Sequence, residues 1–191
     1  MKIGVLALQG AVAEHLRMLE EAGAVAVPVK KVEELGDLDG LVIPGGESTT
    51  ISKLMHKYGF MEAIRQFGEE KKPIFGTCAG AILLANQING QDDFHLGLMD
   101  IKVERNAFGR QKESFEVHMP IAGVAADYPA VFIRAPYIME VGEGGQVLAK
   151  YEDKIVVARN GHYLAAAFHP ELTEDTRLHK FFLDMVKEYR S

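Results

Sequence analysis

PIFGTCAGA, residues 73–81, passes from a short apolar run straight into small residues that surround the only cysteine of the chain. The run is too short for a helix and reads as a buried strand, and a helical segment over 81–85 starts close behind it. The cysteine therefore sits at the turn where a strand meets a helix. Whether that unit is one of several decides the fold, because a series of strand-helix units builds a parallel sheet covered by helices.

Working outward, the series is present. Upstream, KIGVLAL (2–8) reads as a strand and 12–22 as a helix with Val12, Leu16 and Leu19 on one face, stopped by Gly23. AVAVPV (24–29) and GLVIP (40–44) are the next strands. Ser48 or Thr49 is placed to cap a helix carrying Ile51, Leu54 and Met55, and a second helical stretch covers 60–70. Downstream the character changes: MDIKVE (99–104), SFEVHMP (114–120), AVFIRAP (130–136), QVLAKY (146–151) and KIVVARN (154–160) are short strands between turn residues, expected as antiparallel additions to the sheet. GHYLAAAFHPE (161–171) supplies a last apolar strand. A closing helix over 173–189 carries Leu178, Phe181, Phe182, Met185 and Tyr189 at the three- and four-residue spacing of a core face. No repeat or linker interrupts the series, so a single domain over 1–191 is expected.

Composition narrows the function. At 191 residues and 48% hydrophobic content the chain can bury one sizeable core. A net charge of −6, with no lysine or arginine run longer than two, argues against nucleic acid or an anionic membrane as partner. One cysteine forms no internal disulfide, and the apolar stretch 3–8 is too short for a signal segment or a membrane span; a reducing, cytoplasmic setting is expected.

A lone cysteine is by default a small core hydrophobe. Here Gly76-Thr77-Cys78-Ala79-Gly80 has the G-x-nucleophile-x-G form of a nucleophile elbow, whose small residues tolerate a strained turn that lifts the side chain above the sheet. A thiol at a helix N-terminus also meets the positive end of the helix dipole, which favours the attacking thiolate. Glycine-rich turns of this kind serve phosphate binding or packing too, so the cysteine needs a base. Seven histidines compete. His15, His56 and His179 fall in helical segments beside charged residues and read as structural; His95, His118 and His162 carry no assignment. His169 stands at the carboxyl end of an apolar strand, where ligand crevices of open α/β sheets form. Pro170 biases it toward an extended backbone that would turn Glu171 to the same side, so that the carboxylate holds the imidazole while its other nitrogen faces the thiol. Cys78, His169 and Glu171 form a candidate triad. Backbone donors for an oxyanion are available from Gly46 in the PGGES loop and from Ala79, one residue past the nucleophile. No cysteine pair or helical H-x-x-x-H spacing offers a zinc site, and no metal is expected. From the residues alone, a cysteine hydrolase or chaperone-like protein and a non-catalytic phosphate-binding module remain as alternatives.

GLVIPGGEST, FGTCAGA and FHPE, in this order, resemble the class I, triad-type glutamine amidotransferases. GVLALQGAVAEHLRMLE at the start, RNAFGRQKESFE (105–116), FIRAP (132–136) and FHPELTEDTRLHKFFL near the end resemble one branch of them, the glutaminase subunits of pyridoxal 5'-phosphate synthase, over essentially the whole chain. The resemblance implies an α/β, single-domain, flavodoxin-like three-layer sandwich, with a mostly parallel central sheet and antiparallel additions. It implies hydrolysis of L-glutamine to L-glutamate and ammonia through a γ-glutamyl thioester, without a cofactor. The ammonia would pass to a PdxS-type synthase subunit within a large hetero-oligomer, for pyridoxal 5'-phosphate (vitamin B6) biosynthesis. It also implies that the amino-acid head of the substrate is held by Gly46, Glu47, Ser48, Arg105, Ile133 and Arg134. The charges suit that task, since guanidinium groups match an α-carboxylate and a carboxylate matches an α-ammonium. Histidine-pathway glutaminases carry a similar triad, and the distal segments favour the vitamin B6 branch over them.

Overall fold

The computed structural model describes residues 1–105 and 114–190; residues 106–113 of the RNAFGRQKESFE stretch lie outside the described residues. Four parallel strands lead to the cysteine: β1 (Lys2–Leu6), β2 (Val25–Val29), β3 (Gly40–Ile43) and β4 (Ile74–Thr77), in the order β2-β1-β3-β4. Strand β12 (Tyr163–Ala166) lies parallel to β4 on its other side, with Ala166 opposite Thr77. The carboxyl ends of these strands therefore share one edge of the sheet, which brings residues 78 and 169 together despite their distance in sequence.

Beyond β12 the sheet changes direction. Strand β11 (Lys154–Asn160) runs antiparallel to β12, β9 (Tyr137–Val141) to β11, and β6 (Met99–Glu104) to β9, while β5 (Ala85–Ile88) closes the edge parallel to β6. Strand β10 (Gln146–Tyr151) also pairs with β11, giving ten strands in this sheet among the described residues. The antiparallel additions foreseen from sequence are thus present with one correction: β7 (Ser114–Ile121) and β8 (Ala125–Ile133) pair only with each other, as a separate two-stranded sheet. The reason lies in long-range packing. Met119, Ile121, Tyr128, Ala130 and Phe132 turn their buried faces onto the core, so the ribbon packs over the main sheet instead of extending it.

Helices cover both faces. Helices α2 (Ser48–Lys57), α3 (Phe60–Glu69) and α4 (Ala79–Leu84) share a core with Leu41, Ile43 and Ile74; α1 (Val12–Glu21) and α5 (Arg177–Arg190) share the opposite one with Ile3, Val42 and Phe75. Adjacent residues of one strand, such as Ile74 and Phe75, feed opposite cores, as the two-residue period of a strand requires. The result is the expected three-layer sandwich. Helix α5 is held by Leu178, Phe182, Met185 and Val186, each essentially buried and each worth about 1.5–3 kcal/mol.

Two boundaries differ from the sequence expectation for local reasons. The closing helix starts at Arg177 and not at 173, because Thr173 Oγ1 accepts the Asp175 amide (3.2 Å) and Asp175 Oδ1 accepts the Arg177 amide (3.0 Å), which holds 173–176 in turns. Helix α2 is capped by Glu47, not by Ser48 or Thr49: its carboxylate accepts the amides of Thr49 (3.3 Å) and Thr50 (2.8 Å). Removing that cap by Glu47→Ala is expected to cost about 1 kcal/mol, read as a lower urea midpoint with an unchanged slope.

Candidate active site

At the end of β4 the chain makes a backbone turn that few residues tolerate. Cys78 has φ +50° and ψ −107°, in the half of the map that costs a side chain strain. The small residues around it are required by contact. A Cβ on Gly76 would fall on the Gly80 carbonyl, and a Cβ on Gly80 would fall on the Ile43 carbonyl of β3. The Cys78 amide is pinned to Ala166 O (2.8 Å) in β12. Ala79 is the first residue of α4, so its N–H has no carbonyl to meet within the helix.

His169 is set opposite by the neighbouring elements. Its amide donates to Val131 O of β8 (2.8 Å), and its ring and the Cys78 side chain both border Gly45, close enough for the thiol to act on the imidazole electrostatically. Nδ1 meets Glu171 Oε2 at 2.9 Å, with the carboxylate fully buried. The route to that contact corrects the sequence expectation. His169 (φ −108°, ψ 86°) leads into a 3-10 turn over Pro170–Leu172, closed by Leu172 N to His169 O (3.2 Å), and it is this turn that brings Glu171 back to the ring.

The electrostatics follow from these contacts. Burial pushes the His169 imidazole toward its neutral form, but hydrogen bonds and charges from Cys78 and Glu171 outweigh burial and raise its pKa to about 10. An unfolded histidine titrates near ~6.5. The native site thus keeps a proton that the unfolded chain gives up, and the stability it contributes is complete below that value and lost as pH rises through about 10. The gap in urea midpoint between wild type and His169→Asn is therefore expected to shrink steadily from pH ~6 to ~10. A gap independent of pH would contradict the assignment.

The other candidates gather around this pair. Ile133 O lies 3.9 Å from Cys78 Sγ, and the next residue, the exposed Arg134, has φ +46°. Arg105 Nη2 donates to the buried Ser48 Oγ (3.0 Å). Gly46 sits against the loop after β1: its Cβ would strike Gln9 Oε1, which accepts the Glu47 amide (2.9 Å), while Gly45 O accepts the Ala11 amide (3.0 Å). Glu47 is fully engaged, because the hydroxyls of Thr49 and Thr50 join their amides in filling its four acceptor sites and hold its pKa down to about 2. Among the described residues no group of acidic, histidine or cysteine side chains is arranged to hold a metal ion.

Two histidines without an assignment from sequence, His95 and His162, gain partners, and two read as structural, His15 and His179, prove completely buried. His95 Nδ1 pairs with Ser52 Oγ (2.9 Å), His162 Nε2 donates to Gly68 O (2.6 Å), and His15 and His179 are completely buried behind the triad. The last two were read as structural from the charges beside them in sequence. A better signal was their place on the apolar stripes, His15 with Val12, Leu16 and Leu19, His179 with Leu178, Phe182 and Val186, where a polar ring must find a partner.

Known proteins share this sequence and fold. Pyridoxal 5'-phosphate synthase subunit PdxT of Brevibacillus brevis is 88% identical over 100% of both chains, and its counterpart in a Geobacillus species is 63% identical over 100% of both. A crystal structure of a glutamine amidotransferase, 49% identical, superposes with a TM-score of 0.91 over 97% of this chain and 98% of that one. A family model matches residues 5–188, a span that contains the elbow, the PGGES loop and the His-Pro-Glu turn: the chain belongs to the SNO glutamine amidotransferase family.

Proposed function

We propose that the chain is the glutaminase subunit of a pyridoxal 5'-phosphate synthase, hydrolysing L-glutamine to L-glutamate and ammonia. The observation that carries this reading is the strained Cys78 facing an imidazole that Glu171 holds at 2.9 Å, in a chain 88% identical to a PdxT subunit. In this reading 1–191 is one amidotransferase domain. The Cys78 thiolate attacks the carboxamide carbon, and the developing oxyanion takes hydrogen bonds from the Gly46 and Ala79 amides. His169, as imidazolium, gives its proton to the departing nitrogen, so ammonia leaves and a γ-glutamyl thioester remains. Neutral His169 then takes a proton from water; the hydroxide adds to the thioester, the thiolate leaves, and glutamate is released with the imidazolium restored. Glu171 fixes the ring through both halves.

The substrate head is assigned to the surrounding groups. Arg105 and Arg134 suit the α-carboxylate, and Ser48 and the Ile133 backbone border the same space. The α-ammonium draws on the charge of Glu47, one of whose threonine hydroxyls turns away to free an acceptor site. Ammonia released into neutral water would be protonated and lose its nucleophilicity, a physical reason for delivery to a synthase subunit of the PdxS type within a large hetero-oligomer. The cytoplasm is the setting that fits a free thiol at the site; among the described residues no helix is long and apolar enough to cross a membrane. The test is ammonia release from glutamine with and without a PdxS-type subunit. Turnover that rises on adding the subunit is expected, and no release under either condition would overturn the reading.

A further inference from the structure

Behind Glu171 a chain of buried polar groups leads away from the reaction centre. His15 Nε2 lies 3.1 Å from Thr77 Oγ1 and 3.6 Å from Glu171 Oε1, and His15 Nδ1 lies 2.9 Å from His179 Nε2. His15, Thr77, Glu171 and His179 are all fully buried. Two atoms of this cluster lack a hydrogen-bond partner among the described residues: Glu171 Oε1 and His179 Nδ1.

Those two orphans select one arrangement of protons. Burial disfavours the charged form of both histidines: it holds His15 far down, helped by the neighbouring His179 and His169, and pushes His179 down to about 3. Each ring then has one donor and one acceptor nitrogen. If His15 carries its proton on Nδ1, His179 must accept at Nε2 and hold its proton on Nδ1, a buried donor with no partner. In that case the bare His15 Nε2 also faces the bare Glu171 oxygen. If both carry the proton on Nε2, His179 donates to His15, His15 donates toward Thr77 Oγ1 and Glu171 Oε1, and the unpartnered His179 nitrogen is only a lone pair. The first arrangement strands a donor and opposes two acceptors; the second does neither.

We propose that His15, oriented by His179, is a positioning residue for the reaction: its Nε2–H steadies the Glu171 oxygen turned away from His169, extending the triad into a His179-His15-Glu171-His169 chain. This rests on the glutaminase reading above. At 3.6 Å the contact is long and shared with Thr77, and catalytic hydrogen bonds commonly tighten in the complex with substrate. His15 acts on the carboxylate and never touches substrate, so its loss should appear in kcat and leave KM nearly unchanged.

Two measurements test the proposal. In the assembled complex with the synthase subunit, His15→Leu is expected to lower glutaminase kcat roughly 10- to 100-fold with KM within about threefold, while His15→Gln, which retains an N–H near the Nε2 position, returns kcat to within about threefold of wild type. A folded His15→Leu within threefold of wild-type kcat, or a His15→Gln as slow as His15→Leu, would overturn it. Long-range proton-nitrogen NMR of the unsubstituted chain decides the matter if either variant fails to fold: protons on Nε2 of both rings are expected, and a proton on His15 Nδ1 overturns the proposal. Cys78→Ala runs alongside, since ammonia release surviving that change defeats the reaction reading itself and not the proton arrangement.

Discussion

Cys78→Ala is expected to reduce ammonia release from glutamine by about 10,000-fold or more while the protein stays folded. The large figure follows from what is removed. No other side chain at the site supplies an electron pair that the elbow aims at a carboxamide, and His169 alone would have to activate water from a position set for protonating a leaving nitrogen. Stability should change little near pH ~10, where the His169 proton no longer contributes, because alanine fills nearly the space of the buried thiol and meets the same backbone strain at φ +50° that cysteine already bears. Circular dichroism and a urea midpoint near wild type, together with the loss of ammonia, would separate chemistry from folding. Retained turnover would show that the chemistry does not run through Cys78.

A second change of large effect touches no reacting atom. Gly45→Ala would place a methyl carbon 2.6 Å from His169 Cε1, 3.0 Å from Nδ1 and 3.4 Å from the Cys78 Cβ. The ring cannot remain where it is. It must retreat by roughly 1 Å, enough to cost about 100-fold in a reaction that depends on aligned groups. The imidazole is 13% exposed, so it has room to yield and the fold should survive. The expected result is a fall of about 100-fold in kcat with a loss of no more than about 3 kcal/mol in stability. Full activity in Gly45→Ala would mean that the pairing of His169 with Cys78 tolerates a displacement the mechanism forbids.

The parts that the sequence disclosed are those governed by local rules. The small residues around Cys78 could be read because a tight strand-helix turn leaves no room for larger neighbours, and the structure supplies the contacts, Gly76 on Gly80 and Gly80 on Ile43, that explain each one. The parallel half of the sheet followed from strand-helix periodicity. What stayed hidden depends on long-range choice. Nothing local says that β7 and β8 leave the main sheet for a ribbon of their own, since their alternation suits either arrangement. Strand β5 was hidden behind helix α4, because AILLA continues a helical pattern into ANQI without a breaker. The His-Pro-Glu contact was anticipated with the wrong backbone: proline restricts its neighbour but does not decide between an extended segment and a 3-10 turn. His15 and His179 were obscured by charged neighbours on the outer faces of their helices, although their own positions lie on the buried stripes.

The central claim is that a covalent γ-glutamyl group forms on Cys78 under the control of His169. Its most direct test is the product distribution when glutamine turns over in the assembled complex in the presence of hydroxylamine, which intercepts a thioester in place of water. The account predicts γ-glutamyl hydroxamate appearing at the expense of glutamate, and none from Cys78→Ala. Glutamate as the sole product at every hydroxylamine concentration, with ammonia release undiminished, would contradict it.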